Sequence, residues 1–146
     1  MTIGYDDARG FAAERMAFWQ SQMMAKHGWF WLYMGPDDPQ SPTGTNIHTH
    51  GFEATWGHPD VQIVVALHQK QAQGVLSEVA GLVKAGMKFE PGKDYDHILR
   101  DYKVRFAWTT EGDRRVLRMI LPDKEGRLAR GEISEPYAKQ WEGTEE

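Results

Sequence analysis

Between Asn46 and Asp60 the chain reads Asn46-Ile47-His48-Thr49-His50-Gly51-Phe52-Glu53-Ala54-Thr55-Trp56-Gly57-His58-Pro59-Asp60, which gathers three of its six histidines and two carboxylates into one stretch. Imidazole is the commonest metal ligand and titrates near neutrality, so such a cluster can bind a divalent ion or move protons. Residues at i and i+2 of a strand point to the same face, so His48 and His50 can share a ligand. A catalytic zinc takes three protein ligands and keeps one position for water. On that pattern His48, His50 and His58 are candidate imidazole ligands, with Asp60 or Glu53 as fourth ligand or general base. Two points weigh against it. Strand alternation puts Glu53 on the opposite face from His48 and His50 unless the chain bulges at Gly51. No HExxH signature occurs anywhere in the chain. The plainer reading keeps His48 and His50 as hydrogen-bonded, semi-exposed strand residues and has His58 order the Gly57-His58-Pro59 turn.

A metal-free acid–base site would pair one of these histidines with Glu53, Asp60 or Tyr102. Ser41 and Thr49 are the nearby hydroxyls, and neither sits in a nucleophile elbow. The stretch Gly35 to Gly44 is rich in proline and glycine but lacks the GxxxxGK[ST] phosphate-binding spacing. It reads as a surface loop, with a lid over the histidine strand as the functional alternative. Trp29, Trp31 and Tyr33 share one strand face, a platform for a flat ligand if uncovered and core if covered. Trp56, in a turn beside Gly57, is the tryptophan expected to be partly exposed. It joins His48, His50 and His58 as a candidate ligand-binding residue.

The elements that must position these groups follow from periodicity. A first helix is expected from about Asp6 to His27, with Asp6 or Asp7 as its cap and an apolar stripe of Phe11, Met16, Trp19 and Met23. Gly28 fits the left-handed position after it. Trp29 to Met34 reads as a strand buried on both sides, Thr45 to Thr55 as a second strand, Trp56 to Asp60 as a turn and Val61 to Leu67 as a third strand. Ala72, Val75, Leu76, Val79, Leu82 and Val83 mark a second helix over Gln69 to Ala85, ended by Gly86. Alternation from Asp101 to Thr109 and a strand from Arg115 to Leu121 make a hairpin about Thr110 to Asp113. The fold class is α+β, a single domain over residues 1–146 with a mostly antiparallel sheet covered by two helices and a polar, loosely held tail from about 132.

Composition narrows the setting. A chain of 146 residues suits one domain, and it contains no cysteine, which removes disulfides and thiolate chemistry. Net charge is −4 and the basic residues are scattered, which argues against a nucleic-acid surface. The densest basic run, Arg100 to Arg105 and then Arg114-Arg115, is interleaved with Asp101, Glu111 and Asp113 and reads as a solvated strand edge. No run is long and apolar enough for a membrane span, and the acidic start has no apolar signal region, so a cytoplasmic protein is expected.

The order of motifs resembles a bacterial family catalogued as domain of unknown function 4262. His27-Gly28-Trp29 matches its helix-ending step. His48-Thr49-His50-Gly51-Phe52 matches its Tyr-Thr-hydrophobic-Gly-Leu strand, and Gly57-His58-Pro59-Asp60 its Gly-His-Pro-Glu turn. Phe89-Glu90-Pro91-Gly92 and Leu121-Pro122-Asp123-Lys124-Glu125-Gly126-Arg127 match two later turns. His48 stands where the family has an aromatic and His50 where it has an aliphatic residue, and the family's late Pro-Trp is replaced by Leu128-Ala129-Arg130-Gly131. The resemblance implies the fold and a cytoplasmic setting and assigns no activity. The leading expectation is therefore a small cytoplasmic ligand- or partner-binding accessory domain, with a small molecule or protein as partner and its surface at His48 to Asp60. A metal-dependent hydrolase holding a divalent ion such as zinc through His48, His50 and His58 is the alternative. A homodimer joined through an exposed sheet edge is the third.

Overall fold

The computed structural model describes residues 9–35, 41–65 and 67–145. Its first helix, α1, spans Arg9–His27; the expected caps Asp6 and Asp7 lie outside the described residues. Gly28 ends it at φ 79°, donating its N–H to Met24 O at 2.9 Å. One six-stranded sheet follows, built from β1 Phe30–Met34, β2 Asn46–His50, β3 Val61–Ile63, β4 Asp94–Tyr95, β5 Val104–Glu111 and β6 Arg114–Ile120. The strand order is β1-β2-β3-β6-β5-β4. Every neighbouring pair is antiparallel except β3 and β6, which run parallel. The fold is α+β with a mixed, mostly antiparallel sheet.

Strand alternation gives this sheet two different faces. One carries Ile47, Val61, Ile63, Phe106, Leu117 and Met119, all inaccessible to solvent. Helix α3, Gln69–Lys84, closes over that face with Ala72, Leu76, Val79, Ala80 and Val83 buried. The other face is polar. Cross-strand partners His48, Gln62 and Arg118 form a row across β2, β3 and β6, and all three are buried.

The largest departure from the sequence expectation lies after His50. The strand expected to reach Thr55 stops at His50, and Phe52–Trp56 forms a short helix, α2. Gly51 is the reason. It sits at φ 106°, and a Cβ there would lie 2.6 Å from Gly28 O and 2.9 Å from the Trp29 Cα. The chain therefore reverses direction where it crosses the end of α1, a path that needs both a positive φ and no side chain. Among the described residues three α-helices thus accompany the sheet, where two were expected. The third strand is three residues long, because the chain turns away at Val64 toward α3. Strand β1 lies at the sheet edge, with Phe30 and Leu32 buried and Trp31 and Tyr33 half-buried.

The segment after 131, expected to be loosely held, lies against the polar face. Gln140, in the 3-10 turn Tyr137–Trp141, is fully buried. Its side chain accepts from Leu121 N and donates to Leu121 O, each at 2.8 Å. Thr109 and Thr144 form a β-bridge, and Arg115 pairs with Glu145 at 2.7 Å.

Candidate functional site

His48 and His50 project from β2 onto the polar face, two residues apart. Their rings lie 4.9 Å apart, edge to face, and His50 also stacks on Phe30 at 5.2 Å. The third member of the group comes from the far side of the β5–β6 hairpin. Glu111 ends β5, at the tip of the hairpin whose strand β6 pairs in parallel with β3, the neighbour of β2. Glu111 Oε2 stands 3.2 Å from His48 Nδ1. Among the described residues, His48, His50 and Glu111 form a group whose ligand atoms all lie within 4.8 Å of one another, and they can hold a metal ion.

A network of cations and amides holds the carboxylate in place. Arg114, which faces Glu111 across the hairpin, donates to Glu111 Oε1 from Nε at 3.1 Å and from Nη2 at 2.7 Å. Gln62 Nε2 donates to Glu111 Oε2 at 3.1 Å, and Arg118 Nε donates to Gln62 Oε1 at 2.8 Å. Burial on its own would push the Glu111 carboxyl up, but His48, Arg114 and Gln62 together hold it below its ordinary range. His50 is pushed down to about 4, first by burial and then by the charges of Arg114 and His48, against the pull of Glu111. At neutral pH it is a neutral imidazole with a lone pair to offer. Burial lowers Arg118 to about 10 against the nearby Glu111 and Glu142, so it keeps its charge.

His58 and Asp60, the other two metal candidates, are engaged elsewhere. His58 is buried. Its Nδ1 lies 2.7 Å from Pro59 O, and its Nε2 accepts from Phe89 N–H at 3.0 Å. Both ring nitrogens are thereby occupied, with the proton on Nδ1. Asp60 Oδ1 accepts from the Thr49 hydroxyl at 2.7 Å and from Phe52 N–H at 3.2 Å, while Oδ2 pairs with Arg114 at 3.2 Å. Asp60 thus ties the start of α2 to the end of β2. Burial raises its carboxyl pKa despite these three partners. Thr49, considered as a nucleophile, donates to Asp60 and accepts from Val61 N–H at 3.0 Å.

Glu53 is exposed on α2, and Trp56 is half-buried against Phe52. Tyr102 is 43% exposed. Ser41 and Thr43, at the end of the Pro-rich loop, are half-buried, and the Thr43 hydroxyl donates to Val64 O; residues 36–40 lie outside the described residues. Trp29, Trp31 and Tyr33 pack partly against the main core.

Glu111 and Arg114 are what the sequence reading missed, having been taken for a solvated strand edge. Their signal in sequence is a Glu and an Arg flanking a Gly-Asp turn, which predicts a cross-strand ion pair. Nothing in the spacing places that pair beside β2.

Among the described residues, no helix is long and apolar enough to cross a membrane. No curated protein and no solved structure matches the chain. The family model for a domain of unknown function, DUF4262, matches residues 23–129, which takes in every strand and the whole His48–His50–Glu111 group. With well over half of its length matched, the chain belongs to the DUF4262 family.

Proposed function

We propose that this chain is a small cytoplasmic ligand-binding domain whose polar sheet face takes a divalent metal ion, zinc being the natural choice, between His48, His50 and Glu111. The observation that carries this is the convergence of two imidazoles and one carboxylate to within 4.8 Å. Zinc bonds of about 2.0–2.2 Å put neighbouring ligands roughly 3.3 Å apart, so binding requires side-chain rotations that draw the three together. Arg114 holds Glu111 Oε1, and an ion at Oε2 would replace the bond from Gln62 Nε2 there. Two histidines and one carboxylate leave further coordination positions for water or a small molecule. The neighbouring charges of Arg114 and Arg118 oppose a cation and favour an anionic co-ligand in those positions.

The test is metal content in protein purified without an affinity tag and dialysed against zinc, beside a His48→Ala/His50→Ala variant. About one zinc per chain is expected, together with a rise in melting temperature on zinc addition that the variant lacks. Protein that retains no zinc, or a variant that retains as much, would sink the proposal.

A further inference from the structure

A second site lies where α1, β1 and α3 meet. A cavity of about 470 Å³ opens there. Its walls include Trp19, Trp29, Trp31 and Trp56, four of the six tryptophans in the chain. All four are half-buried rather than buried, so they present indole surface to whatever fills the cavity. Aromatic surface left facing water in a concave site is the usual mark of a ligand pocket rather than of core. Gln73 and Ser77, on the α3 side, add polar groups that can orient a ligand.

Charge narrows the ligand further. Lys26 and Lys84 line the cavity, and among the described residues no carboxylate does. That is a cationic rim on a chain whose net charge is −4. Indole faces stack on flat rings, and ammonium groups at the mouth suit an acidic substituent. We infer that this cavity binds a small planar aromatic anion, its ring between the tryptophans and its carboxylate or similar group at Lys26 and Lys84.

Titration calorimetry with 1-naphthoate, 1-naphthalenemethanol and 1-naphthylmethylammonium tests this directly. Naphthoate is expected to bind one per chain with a dissociation constant of about 1 mM or tighter, at least tenfold more tightly than the neutral and cationic analogues. Two variants keep the fold out of the question. Lys26→Glu/Lys84→Glu changes only exposed positions and should remove the preference for the anion. Gly81 lines the cavity from α3, and a Cβ there meets nothing within 4 Å, so Gly81→Leu should fill the space and abolish binding by a folded protein. Glu111→Gln, at the metal group and not among the residues that line the cavity, should bind naphthoate as the parent does, which separates this site from the metal site. No saturable binding at millimolar naphthoate, equal affinity for all three probes, or undiminished binding by Gly81→Leu would overturn the inference.

Discussion

His58 shows how one side chain can be committed to structure although its type and neighbours suggest chemistry. Its Nε2 is the acceptor for the backbone N–H of Phe89, in the loop after α3, and its ring lies edge-on to both Phe52 and Phe89. Replacing it with leucine leaves that N–H buried without a partner, at a cost of roughly 1–3 kcal/mol; His58→Gln, which keeps an acceptor, should cost less. Urea midpoints of the two variants measure the difference. Burial pushes the His58 pKa down, outweighing the bond to Pro59 O and the charge of Asp60. Below the unfolded value of about 6.5 the unfolded chain binds a proton that the folded chain does not. Stability from this residue is therefore full above pH 6.5 and falls as pH drops below it, by at most about 1.4 kcal/mol per pH unit. The fall between pH 6.5 and 5 should be shallower in His58→Gln. An unchanged slope would mean that other groups set it. In sequence, His58 was legible as a turn residue, and its partner Phe89, 31 positions away, was not.

At the level of elements, periodicity was enough for the described part of α1, for α3 and for the β5–β6 hairpin. It failed at Gly51, where the turn is imposed by the close passage of Gly28 and Trp29, a contact between segments rather than a local preference. The C-terminal segment, polar in composition, makes specific contacts with the sheet. Gln140 satisfies both the N–H and the C=O of Leu121 at the end of β6, and Arg118 donates to Gln140 O at 2.7 Å. Gln140→Ala strands two buried backbone groups and should lower stability by about 2–4 kcal/mol, read from chemical denaturation. A loss under 1 kcal/mol would show that the segment is only loosely applied to the sheet. This segment lies outside the stretch matched to the family, which ends at residue 129.

Across the whole molecule, stability should be distributed unevenly. The parallel β3–β6 pair sits at the centre of the sheet, with Ile63, Leu117 and Met119 fully buried. In α1, by contrast, no side chain from residue 13 to 27 is buried. Native-state hydrogen exchange should find β3 and β6 amides opening only with global unfolding and α1 amides opening at free energies several kcal/mol lower. Equal protection in both would contradict this division. Because α1 carries Trp19 and Lys26 into the tryptophan cavity, naphthoate should selectively slow exchange in α1. By itself the sequence determined the α+β class, the main helices and hairpin, and the pair His48 and His50 on one strand face, because each depends on short-range periodicity. Tertiary structure alone decided that the third group beside them is Glu111 rather than His58, Asp60 or Glu53. That choice follows from strand order: β6 pairs in parallel with β3 and brings residue 111 next to residue 48. No local pattern encodes which strands become neighbours, since pairing is chosen by burial of the shared apolar face over the entire sheet.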